Sequence, residues 1–231
     1  MRSLVIIPAY NEELNIENTI HNLKEHAPDF DYVIINDCSK DSTLEVCKKN
    51  NYTYLNLPIN LGIGGAVQAG YRYAMNNGYD VAVQFDGDGQ HDAAYLSAMR
   101  EELEKTKADI VIGSRYINKE GFQSTGLRRL GIRYFTGLIR FLTGHTVTDP
   151  TSGMRMAGRK VIEIFAGSYP KDYPEPESVV MLLRKKLNVV DYPVVMKERM
   201  AGKSSISPVK SIYYMFKVSL AIILERFRRY K

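Results

Sequence analysis

Apolar residues gather first in short runs, at 4–7, 32–35, 52–55, 81–85 and 110–112. Runs of that length, bounded by polar and turn residues, are the pattern of strands buried on both faces. Between them apolar positions recur at helical spacing over about 12–26, 42–50, 64–77 and 92–106. Strands and helices alternating in this way build βα units around a parallel sheet. Ligands of such sheets bind beyond the carboxyl ends of the strands. Those ends carry Pro8-Ala9-Tyr10-Asn11-Glu12, Asn36-Asp37, Asn56 onward, Asp86-Gly87-Asp88 and Gly113-Ser114-Arg115, so one rim is rich in polar side chains.

After Arg115 the pattern changes. Gly- and Arg-rich connections lead into a helix expected at about 127–142, then a segment interrupted by prolines at 170, 174 and 176, and a last strand at 189–195. From about 207 to 230 the chain reads as one helix with Pro208 in its first turn. Its apolar stretch, 212–224, is broken by Lys217 and falls short of the roughly 20 residues needed to span a bilayer. Arg226, Arg228, Arg229 and Lys231 follow it, which suits an amphipathic helix lying on an anionic membrane surface; a core or oligomer-interface helix is the alternative. No internal repeat or low-complexity tract is present.

Composition narrows the class. A chain of 231 residues that is 45% hydrophobic and 25% charged can bury a substantial core, as one domain with an appendage. Cys38 and Cys47 match neither a disulfide framework nor a zinc spacing, which favours free thiols in a reducing compartment. Met1-Arg2-Ser3 runs straight into the first strand, so no signal peptide is expected. The net charge of +5 conceals an asymmetry: residues 1–114 carry 9 basic and 17 acidic side chains, and residues 115–231 carry 22 and 9. An acidic first half suits a cation, and a basic second half suits phosphates or lipid headgroups. No nucleic-acid-binding motif is present, so nucleic acid is not an expected partner.

The most informative stretch is Gln84-Phe85-Asp86-Gly87-Asp88-Gly89-Gln90. If the strand stays extended through Gly87, the two carboxylates lie on one side about 7 Å apart between Cα atoms. Like charges so placed repel unless a cation separates them. Mg²⁺ or Mn²⁺ takes one or two carboxylates and completes its shell with substrate phosphates. The alternative is an acidic turn capping the helix that begins near Asp92, and in isolation the two readings balance. An EF-hand fails because Ser97 stands where the twelfth-position Glu belongs. Asn60-Leu61-Gly62-Ile63-Gly64-Gly65 lacks the third glycine of a dinucleotide fold, and Tyr71-Arg72 replaces the Lys-Ser/Thr of a P-loop. Tight strand-to-helix packing is the main role expected of those glycines. His91 is a candidate metal ligand, with a solvent-facing helix start as the preferred reading.

Taken together these stretches resemble family 2 glycosyltransferases of the GT-A fold, and within them the polyprenyl-phosphate glycosyltransferases of the dolichyl-phosphate mannose synthase type. The resemblance rests on Val5-Ile-Ile-Pro-Ala-Tyr-Asn-Glu-Glu13, Asn36-Asp-Cys-Ser-Lys-Asp-Ser-Thr43, Asn60-Leu-Gly-Ile-Gly-Gly65, Asp86-Gly-Asp88, Gly113-Ser-Arg-Tyr116 and Thr148-Asp-Pro-Thr-Ser-Gly-Met-Arg155, six motifs in the family's order over roughly 4–205. It implies an α/β fold with a Rossmann-like, mostly parallel central sheet flanked by helices. Residues 1–205 would form the GT-A domain, with a nucleotide-sugar half at 1–114 and an acceptor half at 115–205. Residues 206–231 would be an amphipathic juxtamembrane or oligomerising helix.

The resemblance also implies roles. Pro8, Tyr10, Glu12, Asp37 and Gly62 would surround base and ribose, and Asp86, Asp88 and Gln90, with Gly87 between, would hold Mg²⁺ or Mn²⁺ and the diphosphate. Arg115, Arg129, Arg133 and Lys203 would hold the acceptor phosphate, Asp149 and Glu177 would face the donor sugar, and Arg199 would clamp phosphate from a late loop. Asp86, Asp88, Arg115 and Asp149 form the expected catalytic set. Two departures stand out: Arg133 occupies the place of a family Ser, and Ser205 that of a Lys, with Lys203 nearby. The implied activity is inverting transfer of glucose or N-acetylglucosamine from a UDP-sugar to undecaprenyl phosphate, at the cytoplasmic face of the plasma membrane, for cell-wall or surface polysaccharide. A homo-oligomer and a small membrane-protein partner are further expectations. The rivals are a GDP-mannose donor, a glycan or protein hydroxyl acceptor with Asp149 as base, a nucleotidyltransferase that makes nucleotide sugars, whose basic Gly-rich N-terminal signature is absent, and a membrane scaffold that binds nucleotide sugar without turnover.

Overall fold

The structure, a computed structural model, describes residues 1–118, 120, 126–172, 174–197 and 208–228, the side chains of 127, 128 and 208–214 aside. Its centre is a seven-stranded sheet of β1 (Ser3–Ala9), β2 (Asp31–Asn36), β3 (Tyr54–Asn56), β4 (Val81–Gln84), β5 (Ile110–Ser114), β6 (Arg155–Gly158) and β7 (Val189–Pro193), in the order β3-β2-β1-β4-β6-β5-β7. β6 runs antiparallel to both neighbours, and every other pairing is parallel. The mostly parallel sheet expected from the apolar runs is therefore present, with one reversed strand inside it.

Helices cover both faces, which is why β1 needs no polar side. Val5 and Ile7 pack under α1 (Ile16–His26) and α4 (Leu96–Thr106), while Leu4 and Ile6 pack under α3 (Gly62–Asn76) and α6 (Arg159–Gly167). The short α2 (Thr43–Lys49) links β2 to β3. A third cluster joins α5 (Gly126–Thr143), α7 (Pro174–Arg184) and α8 (Pro208–Phe227) through Phe135, Ile139, Val179, Leu183, Val218 and Ile222. Gly131 faces Met215 and Tyr134 Oη lies 3.1 Å from Ser219 Oγ, so α5 and α8 lie side by side and parallel.

The proline-interrupted segment is a helix start rather than a loop. Pro174 opens α7 and Pro176 lies in its first turn, where N–H groups have no intrahelical partner and their loss is harmless. The Gly-rich turn behaves as a packing device, as expected. A Cβ on Gly64 would sit 2.2 Å from the Pro170 carbonyl oxygen and 2.3 Å from that of Lys171, so α3 seats the 170–171 backbone directly on its first turn. Gly64→Ala is expected to cost about 1–3 kcal/mol through overpacking against backbone that cannot rotate away. At about 2–4 °C per kcal/mol for a chain of this size, a thermal melt reads that as a clear fall in Tm; an unchanged Tm would mean the 170–171 loop is not seated there.

Candidate active site

β4 ends at Gln84, and the chain turns at Gly87 and Asp88, with Gly89 at φ +78°. This corrects the extended geometry expected for the acidic pair: the two carboxylates are presented by a turn. The turn is fixed from below. The Asp86 N–H donates to His91 Nδ1 at 2.9 Å, His91 packs edge-on against Phe85, and its Nε2 lies 3.7 Å from Asp86 Oδ2. His91 is 5% exposed, so it is neither a solvent-facing residue nor, with Nδ1 already accepting, free to bind metal through that atom. Thr19 Oγ1 donates to the Gly87 carbonyl at 3.3 Å, and Gln84 Nε2 donates to Asp86 Oδ1 at 3.3 Å. Gly153 closes behind: a Cβ there would lie 2.7 Å from Asp86 Oδ2. Asp88 Oδ1 accepts the Gln90 N–H at 3.1 Å, and the Gln90 carbonyl accepts the Lys197 N–H at 2.9 Å. Lys197 Nζ also pairs with Asp92 at 2.8 Å.

Among the described residues no group of three or more His, Cys, Asp or Glu side chains could hold a metal by itself. Two carboxylates with Gln90 alongside fit Mg²⁺ or Mn²⁺ of the kind that leaves positions open for phosphate oxygens. They do not fit a closed structural site.

Beside this turn Arg115 and Asp149, distant in sequence, form a bidentate pair, Nε to Oδ2 at 2.7 Å and Nη2 to Oδ1 at 2.9 Å. Asp149 is fully buried. Burial works against the Arg115 charge, but the hydrogen bonds and charge of Asp149 outweigh it and, with Asp86 contributing, hold the guanidinium above its ordinary value. Arg115 Nη2 also reaches Thr151 Oγ1 at 3.2 Å. The loop carrying Asp149 is shaped around Arg155, a fully buried side chain. Its Nε donates to Ser152 O at 2.7 Å, Nη1 to Glu175 O at 2.8 Å and Ser178 Oγ at 2.9 Å, and Nη2 to Pro150 O at 2.7 Å.

The acid that joins this cluster is Glu175. Burial raises its carboxyl pKa, with Arg155 opposing and Asp86 adding to the rise, and its side chain bonds Gln84. Glu177, expected to face the donor sugar, instead meets Glu225, Arg228 and Asp172 on the α8 side. Two residues apart on a helix is about 200°, so only one of the pair can face the site; the prolines hid the helix and therefore its phase. Burial first, and then Glu225, raise the Glu177 pKa. A carboxyl with a raised folded pKa subtracts stability once ionised, and the loss vanishes below its unfolded pKa. Glu177→Gln should therefore raise Tm by about 1–3 °C at pH 8, with the gain fading towards pH 4; melts at the two pH values check it.

At the β1–β2 part of the rim, the β1–α1 and β2–α2 loops interlock. Asn11 N–H donates to Ser39 Oγ, Lys40 N–H to Asn11 Oδ1, Glu12 N–H to Thr43 Oγ1 and Ser42 N–H to Glu13 Oε2. The interlock leaves Tyr10 43% exposed beyond the carboxyl end of β1, whose Pro8 pairs with Ile35. Glu12 turns inward, accepting from Asn15 Nδ2 at 2.7 Å. Asp37 is buried and accepts the Leu61 N–H at 2.7 Å; burial raises its pKa against the Leu61 and Gly62 N–H groups. Asp37 thus braces the turn into α3, which Gly62 opens at φ +73°. A surface depression of about 330 Å³ lies outside these loops, lined by Asn11, Glu13, Leu14, Asn15, Lys40 and Asp41, none from the acidic turn.

Arg129 and Arg133 are exposed on α5, and none of the contacts around Asp86 and Asp149 involves them. Arg199 and Lys203 lie outside the described residues.

An acidic turn and a salt-bridged Arg–Asp pair thus stand together at the carboxyl rim of a mostly parallel α/β sheet. The chain belongs to glycosyl transferase family 2, whose profile matches residues 4–165. It is 32% identical over 213 residues to the UDP-N-acetylglucosamine–dolichyl-phosphate N-acetylglucosaminyltransferase of Methanococcus voltae, covering 82% of this chain and 83% of that protein. It is 29% identical over 228 residues to the polyprenol monophosphomannose synthase of Mycolicibacterium smegmatis, covering 94% and 86%. In fold it is similar to glucosyl-3-phosphoglycerate synthase of Mycobacterium tuberculosis, solved with Mn²⁺, UDP-glucose and phosphoglyceric acid. The TM-score is 0.74 at 16% identity, over all of this chain and 81% of that one. The protein is a glycosyltransferase, as its motifs led us to expect.

Proposed function

We propose that the enzyme moves one sugar, glucose or N-acetylglucosamine, from a UDP-sugar to undecaprenyl phosphate or a similar polyprenyl phosphate, with inversion at the anomeric carbon. The observation that carries this reading is the state of Asp149. Both its oxygens are engaged by Arg115, so the candidate base for a hydroxyl acceptor is held in an ion pair. A phosphate acceptor needs no such base, since it is already an anion at neutral pH. The named relatives, one acting on dolichyl phosphate and one a polyprenol monophosphomannose synthase, support the same acceptor class.

In this mechanism an acceptor phosphate oxygen forms the new bond to the anomeric carbon from the face opposite the diphosphate. The bond to the β-phosphate oxygen breaks, and the nucleoside diphosphate leaves. Arg115 spends Nε and Nη2 on Asp149 and Thr151, and among the described residues no hydrogen bond engages Nη1, which would hold the acceptor phosphate. Glu175 and Gln84 line the floor beside Asp86, where the donor sugar would rest. Asp86 and Asp88, with Gln90, would hold Mg²⁺ or Mn²⁺, which neutralises charge on the departing diphosphate when bound. The phosphate-holding roles that the resemblance gives Arg199 and Lys203 are kept in this mechanism, although both lie outside the described residues. The nucleotide and cation then fall to residues 1–114 and the acceptor to 115–205, with Glu175 reaching the donor sugar from the second half.

No helix among the described residues is long and apolar enough to cross a membrane. Two parallel apolar stripes do face outward: Leu130, Tyr134 and Phe141 on α5, and Phe216, Leu220, Leu224 and Phe227 on α8, with Phe141 85% exposed. Arg129, Arg133 and Arg140 flank the first stripe and Arg226 and Arg228 end the second, so the face matches an anionic bilayer, with the enzyme peripheral on its cytoplasmic side. Phe141→Glu with Phe216→Glu should abolish sedimentation with phosphatidylglycerol vesicles. Retained sedimentation, or a wild-type dimer that fails to bind vesicles, would assign the face to protein. For the donor, a panel of UDP- and GDP-sugars with Mn²⁺ should show UDP-glucose or UDP-N-acetylglucosamine raising Tm most; a larger shift with GDP-mannose would replace the proposed donor.

A further inference from the structure

β7 lies beside β5 at the edge of the sheet, pairing Asp191 with Ile112 and Pro193 with Ser114. Asp191 Oδ2 accepts two short hydrogen bonds from one residue, from the Thr148 N–H at 2.6 Å and from Thr148 Oγ1 at 2.7 Å. Thr148 Oγ1 lies 2.7 Å from Ser114 Oγ, and Ser114 Oγ accepts the Tyr116 N–H at 3.2 Å. The direction of the chain follows from counting hydrogens. A carboxylate only accepts, so the single hydroxyl hydrogen of Thr148 goes to Asp191. Ser114 must then donate its own to Thr148, while accepting from Tyr116. All the bonds point towards Asp191, and charge at the receiving end strengthens such a chain.

These bonds bracket the reacting pair. Ser114 and Tyr116 stand on either side of Arg115, and Thr148 immediately precedes Asp149. Asp191 therefore ties together the two loops that present Arg115 and Asp149, and it does so from a strand that supplies neither. Its other oxygen, Oδ1, is buried and has no hydrogen-bond partner among the described residues. An unsatisfied buried carboxylate oxygen is costly, and an apolar residue here would leave none.

We propose that Asp191 is a positioning residue for sugar transfer, acting through Thr148 and Ser114 to set the placement of the Arg115–Asp149 pair. The proposal rests on the reading of that pair as the acceptor side of the site. A misplacement of about 1 Å at a reacting group can cost about a hundredfold in rate. Asp191→Asn keeps an acceptor for Thr148 but weakens both bonds, Asp191→Ala removes them, and Thr148→Val cuts the chain at its middle.

The experiment compares these variants of the full chain in transfer to undecaprenyl phosphate, in binding of UDP with Mn²⁺, and in amide hydrogen exchange. The expected result is a kcat lowered about tenfold in Asp191→Asn and about a hundredfold in Asp191→Ala and Thr148→Val. UDP affinity should be unchanged, and combining Asp191→Ala with Thr148→Val should add no further loss, because the two cut one chain. Exchange should quicken at Ser114–Tyr116 and Thr148–Asp149 and stay as it was at Gly87–Asp88. If Asp191→Ala does not fold, Asp191→Asn and Thr148→Val carry the comparison. A normal kcat in folded Asp191→Asn and Thr148→Val, or a loss of UDP affinity equal to the loss of rate, would overturn the proposal. Exchange separates this from the acceptor reading: if the wild type transfers nothing to polyprenyl phosphate that reading fails, whereas the tie itself fails only if exchange at the two loops is unaltered.

Discussion

Asp88→Ala is expected to abolish sugar transfer, by about a thousandfold or more, while leaving the fold in place. A loss of that size is about 4 kcal/mol in the transition state, within what a metal ion supplies to a leaving diphosphate. The structure separates this effect from stability. Asp88 is partly exposed, and its Oδ1 accepts the nearby Gln90 N–H, whereas the turn is fixed by His91, Thr19 and Gln84 acting on Asp86 and Gly87. Mn²⁺ titration of UDP binding should show the same loss, and the Tm of the apo protein should move by less than about 2 °C. Near-normal transfer by the variant would remove the cation from the mechanism.

The second large effect concerns the fold. Arg155→Met should lower Tm by about 10 °C or more, or leave the protein insoluble, because it takes the donors from the buried Ser152 and Pro150 carbonyls and leaves the Glu175 carbonyl and Ser178 hydroxyl with only the bond between them. Breaking a buried charged network of this kind costs about 3–5 kcal/mol, a large part of the roughly 5–15 kcal/mol that holds a domain together. Arg155→Lys should fare little better, since one ammonium cannot reach acceptors spread around a planar fork. Circular-dichroism melts of both variants check it. A small Tm change in either would mean that the 148–155 loop is held by something else.

Arg155 also shows where sequence reading stops. The first five strands and the polar rim were legible because parallel strands covered on both faces leave short, mostly apolar runs, and their carboxyl ends follow directly. β6 was not: it is four residues long, begins with a buried arginine and runs antiparallel. α7 was hidden by Pro174 and Pro176, and with it the choice between Glu175 and Glu177. The acidic pair was legible as a pair, but its turn geometry was not, because that depends on His91 beneath it. The Arg115–Asp149 and Thr148–Asp191 contacts join residues 34 and 43 apart, a separation at which a single sequence carries no pairing signal.

The electrostatic layout is consistent with the acid-to-basic change along the chain. Asp86, Asp88 and Glu175 gather at one part of the rim, and the exposed arginines of α5 and α8 lie on the helices that flank the apolar stripes.

The most direct test of polyprenyl phosphate as acceptor is to incubate the purified enzyme with Mn²⁺, undecaprenyl phosphate in detergent micelles and a radiolabelled UDP-sugar, then extract with organic solvent. The predicted result is label in the organic phase, dependent on the lipid and on Asp88, and released as free sugar by mild acid. Label confined to the aqueous phase, with or without the lipid, would contradict it.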